Sequence, residues 1–168
     1  MPKTKVTVKG LTAKLEQMAA PIDKNSAKLA GIAAVEEMKR LIASGQSTIQ
    51  GSGRFPSYKE SYVARIKSSY QSRYRKTVRP INLKLTGDFL SNLTSKIVSR
   101  GTEITTEVGF YDNLSKLKEQ GHREGANGQK ERPIIPNENE RFSASVRKAV
   151  ADIYRARISA LAKKLSKE

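Results

Sequence analysis

Cysteine is absent from the chain, and a single histidine, His122, stands alone. Without thiols there is no disulfide, no thiolate nucleophile and no thiolate metal site, a composition that fits assembly in a reducing cytosol. One imidazole is too few for a transition-metal centre built on histidines. Long apolar runs are missing as well: nothing approaches the ~18 residues that a membrane span requires. The opening MPKTKVTVKG has no apolar secretory segment, so the expectation is a chain neither exported by a visible signal nor membrane-spanning.

Negative charge is scarce. Sixteen Asp and Glu face 32 Lys and Arg, giving a formal net charge of +16. A lone compact monomer carrying that excess repels itself, which implies an anionic partner or counter-surface, with nucleic acid the first candidate and a membrane surface the second.

Catalytic signatures are also missing. There is no GxSxG, HExxH or P-loop lysine motif, and Gly121, Gly125 and Gly128 are wrongly spaced for a dinucleotide loop. His122, between Gly121 and Arg123, reads as a surface or interface residue rather than a general base. Glu36 and Glu37 are neighbours on a helix and point apart, so they read as solvated. The expectation is no enzyme, no cofactor and no metal site.

What is there suits one domain over residues 1–168: 37% hydrophobic and 29% charged residues allow a modest core. Lys5 to Lys9 alternates like a short strand, and Leu11, Leu15, Met18 and Ile22 recur at helical spacing, interrupted by Pro21, where a short first helix is expected to end. From a cap at Asp23 or Ser26, Leu29, Ile32, Val35, Met38 and Ile42 predict an amphipathic helix to Ser44. Residues 45–57 read as a flexible loop, with Ile49 the one residue to bury between Gly45 and Gly53.

Thr77 to Leu85 reads as extended, and Thr86 as the cap of a short helix with Phe89, Leu90 and Leu93. Lys96–Ser99 and Glu103–Phe110 predict a hairpin, with Ile104, Thr106 and Val108 on one side. A helical turn over Asp112 to Glu119 precedes a second flexible loop at 121–136. The longest helix is expected from about Asn137 to Lys167, with Glu138 and Glu140 near its positive end.

The most distinctive stretch lies between Pro56 and Arg75. Tyr58, Tyr62, Ile66, Tyr70 and Tyr74 recur every four residues, with cations between them. Arg65, Lys67, Arg73, Arg75, Lys76 and Arg79 form a basic strip that can neutralise phosphates or meet an acidic partner. Tyr58, Tyr62, Tyr70 and Tyr74 can stack on bases, but this spacing more often anchors a helix to a core or a neighbouring subunit. No RNP, KH, zinc-finger or zipper signature accompanies the charge, so the surface is expected to be non-specific.

The order of four stretches resembles the neck, tail-completion and virion-morphogenesis proteins of long-tailed bacteriophages. These are VKGLTAKLEQM; GRFPSYKESYVARIK; LTGDFLSNLTSKIV with TEVGF; and KEQGHREG followed by RPIIP. The resemblance implies an α+β fold, a small antiparallel sheet packed by helices with a long C-terminal helix. It also implies a structural virion subunit in a homo-oligomeric ring, often a hexamer, at the neck or the head-proximal end of the tail. Its partners would be phage connector and tail-tube proteins, with phage DNA passing through the lumen and no membrane involved. Such a protein is assembled in the host cytoplasm and resides in the virion. The alternative is a non-specific nucleic-acid-binding protein.

Overall fold

The computed structural model describes residues 23–83, 87–100, 103–125 and 128–165. The strand and first helix expected before Asp23, and the cap expected at Thr86, lie outside these residues.

Helix α1 (Lys24–Ala43) begins where the sequence places it: the Asp23 carboxylate accepts a 2.6 Å hydrogen bond from the Ser26 amide. Its buried face differs from the expected stripe. Ala27, Ala30, Gly31 and Ala34 are buried with Val35, Met38 and Ile42, whereas Leu29 and Ile32 are exposed. The reason is close approach to the hairpin, formed by β1 (Thr94–Arg100) and β2 (Glu103–Gly109), antiparallel with Ile97 opposite Thr106. A Cβ on Gly31 would stand 2.6 Å from Ser95 Oγ and 2.8 Å from Ser95 Cβ. Thr106 Oγ1 donates to the Ala27 carbonyl at 3.0 Å, a bond only a backbone laid directly on the sheet can receive. Small residues therefore define the seam, and the larger Leu29 and Ile32 are turned outward.

The tyrosine-rich stretch is helical in three joined pieces: α2 (Glu60–Arg65), a π turn (Ile66–Tyr70) and α3 (Gln71–Tyr74). A repeat of four drifts around an α-helix of 3.6 residues per turn; a wider π turn absorbs that drift. Arg75 then takes a left-handed conformation (φ 51°) and ends the helix.

Gly87, also left-handed (φ 107°), leads into α4 (Asp88–Ser91). Helix α5 (Asn113–Glu124) is capped by Asp112, which accepts a 2.8 Å bond from the Ser115 amide. It runs past the helical turn expected to end at Glu119, takes in Gly121 and His122, and stops at left-handed Gly125.

Helix α6 (Ala144–Leu165) starts later than expected. Phe142 pairs as a β-bridge with Ile49, and the Ser143 amide bonds the Thr48 carbonyl, so the backbone before Ala144 is committed elsewhere. Glu138 and Glu140 consequently lie outside the helix and do not serve its dipole; Glu140 instead pairs with Arg123 at 3.2 Å.

The 45–57 segment is tied down rather than free. Gln46 bridges Arg54, and Ser47, Thr48, Ile49 and Phe55 are buried. Thr48 Oγ1 also bonds the Ile134 carbonyl, joining this segment to the other expected loop, in which Arg132 and Ile134 are buried.

The class these elements define is α+β: a two-stranded antiparallel sheet packed by helices, with a long C-terminal helix. Met38, Ile42, Leu93, Ile134 and Val146 sit at its centre, each at most 1% exposed. Burial of each is worth about 1.5–3 kcal/mol relative to exposure.

Candidate functional site

Four tyrosines at period four form a continuous edge-on ladder. Ring centres lie 5.0 Å apart for Tyr58 and Tyr62, 5.9 Å for Tyr62 and Tyr70, and 5.7 Å for Tyr70 and Tyr74. The π turn brings Tyr62 and Tyr70, eight residues apart, into contact. Ile66 between them is fully buried. All four tyrosines are half-buried, and Tyr58 also packs against the hydrophobic core.

The basic strip divides. Arg65, Lys67, Arg73, Arg75 and Arg79 are exposed, and none of them joins an ion pair among the described residues. Lys76 does not belong with them: it is 3% exposed and turned inward. The left-handed Arg75 reverses the chain, and the Lys76 ammonium then donates to the Tyr58 hydroxyl at 2.8 Å and to Asn82 Oδ1 at 2.7 Å.

Beside Lys76 lies a cation that sequence reasoning missed. Arg132 is 2% exposed, and its guanidinium donates to the carbonyls of Pro56, Ser57 and Lys130. Its carbon stands 5.1 Å from the Tyr58 ring centre, and Lys76 Nζ stands 5.0 Å from the same centre. No periodicity marks Arg132; the one local signal is its place before the apolar Pro133–Ile134–Ile135 run.

His122 is also corrected. It is half-buried rather than a surface loop residue, and its ring lies 5.5 Å from that of Phe89. The loop expected from residue 121 does not hold it, because α5 extends through Gly121 and His122.

Two clefts meet here. One of about 300 Å3 is lined by Lys76, Lys118, His122, Arg132, Tyr58 and Tyr62, with Phe89 and Leu90 on its apolar side. The other, about 210 Å3, shares Tyr58, Tyr62, Gln129 and Arg132 and adds Lys59 and Arg65. No carboxylate lines either among the described residues.

The electrostatics follow from that composition. Burial, and then the Arg132 charge, push Lys76 down to about 8. Burial, then Arg132 and Lys76, push His122 down to about 4, so the ring is neutral at neutral pH. Burial and the neighbouring Tyr62 push the Tyr58 phenol up to about 12. Each cation disfavours the next, and the cleft as a whole attracts negative charge.

Among the described residues there is no group of three or more His, Asp or Glu side chains placed to hold a metal. No described helix is long and apolar enough to cross a membrane. Comparison with known proteins gives no match to a protein-family model, a curated protein or a solved structure.

Proposed function

We propose that the chain is a structural subunit of a tailed-phage neck or tail-completion ring, closing on copies of itself around the DNA path, with the hexamer as the expected form. The observation that carries this reading is the exposed series Arg65, Lys67, Arg73, Arg75 and Arg79, unpaired among the described residues within a chain of net charge +16. Such a ridge suits the wall of a DNA channel or an acidic neighbour in the virion. Leu114 and Leu117, three residues apart on α5 and 62% and 66% exposed, offer apolar area that a subunit contact would cover. In this role the protein acts in the virion after assembly in the host cytoplasm, alongside connector and tail-tube proteins.

The test is charge reversal of the five exposed cations to glutamate, with Lys76 left intact because it is part of the packed interior. The variant should fold and fail to join heads to tails; normal virion yield would count against the proposal.

The same cations favour a second reading, a non-specific nucleic-acid-binding protein. Sizing at low and high salt separates the two. A ring subunit gives discrete oligomers, whereas a nucleic-acid module stays small and shifts when DNA is added.

A further inference from the structure

Lys76 and Arg132 are nearly inaccessible, yet neither takes part in an ion pair among the described residues. Burying a cation among neutral partners is costly, and burying two side by side is more so. Their hydrogen bonds are nearly but not fully used. Among the described residues Arg132 makes four bonds to carbonyl oxygens, against the five N–H groups of its guanidinium. Lys76 makes two among the described residues, against the three its ammonium can donate. Lys118 and His122 line the same cleft, and neither side chain forms a hydrogen bond among the described residues.

We propose that the cleft bounded by Lys76, Arg132, Lys118, His122, Tyr58 and Tyr62 binds a phosphate group, either free or as a monoester. A phosphate monoester brings up to two negative charges and three terminal oxygens, matching several cationic donors set around one cavity. A carboxylate brings one charge and two oxygens. The cleft volume of about 300 Å3 exceeds a lone phosphate and leaves room along Phe89 and Leu90 for the rest of an ester. A duplex backbone does not fit this role, because Lys76 and Arg132 are 3% and 2% exposed and lie below the reach of a rigid rod. The site adjoins the exposed cationic ridge at Arg65, which lines the neighbouring cleft, and it stands whether or not the chain assembles into a ring.

Bound phosphate supplies the missing counter-charge, so it should reverse the depression of His122. His122 is the sole histidine, so its ring resonances report on the cleft without ambiguity. The experiment titrates the full chain at fixed ionic strength with inorganic phosphate, dAMP and acetate, following His122 by NMR and binding by calorimetry. Phosphate should bind saturably and raise the His122 midpoint by about one pH unit. Lys118→Ala should weaken phosphate about tenfold. Lys28→Ala, which removes one exposed charge on α1, should leave affinity unchanged. Tighter binding of dAMP identifies a nucleotide monophosphate as the source, and equal binding identifies free phosphate; either supports the site. No saturation by phosphate or dAMP up to about 10 mM overturns it. So does acetate shifting His122 as far as phosphate, or Lys28→Ala weakening binding as much as Lys118→Ala. Lys76 and Arg132 are left unmutated because their bonds also hold the fold.

Discussion

Lys76 donates a hydrogen bond to the Tyr58 hydroxyl across eighteen residues of sequence, and in doing so closes the tyrosine-bearing helix back on its own approach. A buried ammonium bonded to a phenol is an unusual clasp, because the charge gains an acceptor but no opposite charge. Its strength should depend on pH in the alkaline range.

Lys76 sits at about 8 in the folded chain against an ordinary value of 10.5. Below pH 8 both folded and unfolded chains carry the proton, and the burial cost is present in full. As pH rises above 8 the folded chain releases it before the unfolded chain does, so stability should climb toward pH 10. Tyr58 acts in the opposite direction: its phenol, raised from 10.0 to about 12, contributes stability that is present below pH 10 and lost as pH rises through 12. Denaturant midpoints measured between pH 7 and about 10 should therefore rise for the parent chain and stay flatter for Lys76→Met. Equal slopes would refute the assignment.

His122 gives the acid-side counterpart. Above its ordinary value of 6.5 the ring is neutral folded or unfolded and contributes nothing. As pH falls from 6.5 toward about 4, the unfolded chain accepts a proton that the folded chain resists, so stability falls with pH. The full loss is about 3 kcal/mol by linkage. His122→Gln should flatten the stability curve between pH 6.5 and 5, before the carboxylates titrate; a slope identical to the parent's would show that the ring is not buried as described.

Gly31→Ala tests the seam between α1 and the hairpin. Alanine is the better helix former by about 1 kcal/mol, which alone predicts stabilisation. The new methyl would stand 2.8 Å from Ser95 Cβ, an atom that cannot move without its strand. Overpacking of this kind costs about 1–3 kcal/mol, so the net expectation is a lower thermal midpoint. A higher midpoint would mean the helix does not rest on the sheet at that distance.

Arg75→Gly should act the other way. Arg75 holds φ 51°, where a side chain costs about 1–2 kcal/mol relative to glycine. Its side chain is exposed, so little packing is lost. The variant should gain about 1 kcal/mol in chemical denaturation while keeping Lys76 in place. A loss of stability would point to a contribution from the guanidinium that outweighs the backbone strain.

The parts of this fold that could be read from sequence are those set by local rules. Asp23 fixed the start of α1, and alternation in Glu103–Phe110 marked β2, because capping and period-two patterning are decided within a few residues. Leu29 and Ile32 misled because the buried face of α1 depends on how close the sheet comes, and only Ala27, Gly31 and Ala34 allow that approach. The start of α6 was misjudged because Phe142 and Ser143 are held by Ile49 and Thr48, more than ninety residues earlier.

The candidate site was half visible. The tyrosine period points to the ladder and the charge excess to a cationic region, but by sequence Lys76 is indistinguishable from its exposed neighbours. Its inward turn depends on one left-handed residue, Arg75, for which glycine or asparagine would have been the expected signal. Arg132 lies in a stretch whose glycines and prolines read as a loop, and nothing in its spacing links it to Tyr58 seventy-four positions away.

The bridges around Thr48 have a further consequence for how the molecule withstands a cut. Gly51 and Gly53 project into open space at the tip of a small turn, while Gln46 is joined to Arg54 and Ile49 to Phe142 below them. A clip at that tip would separate the chain covalently but leave each flank still bonded to its neighbours. The two fragments should therefore travel together through a native separation and part only in denaturant, behaving as a split protein that needs no linker to stay whole.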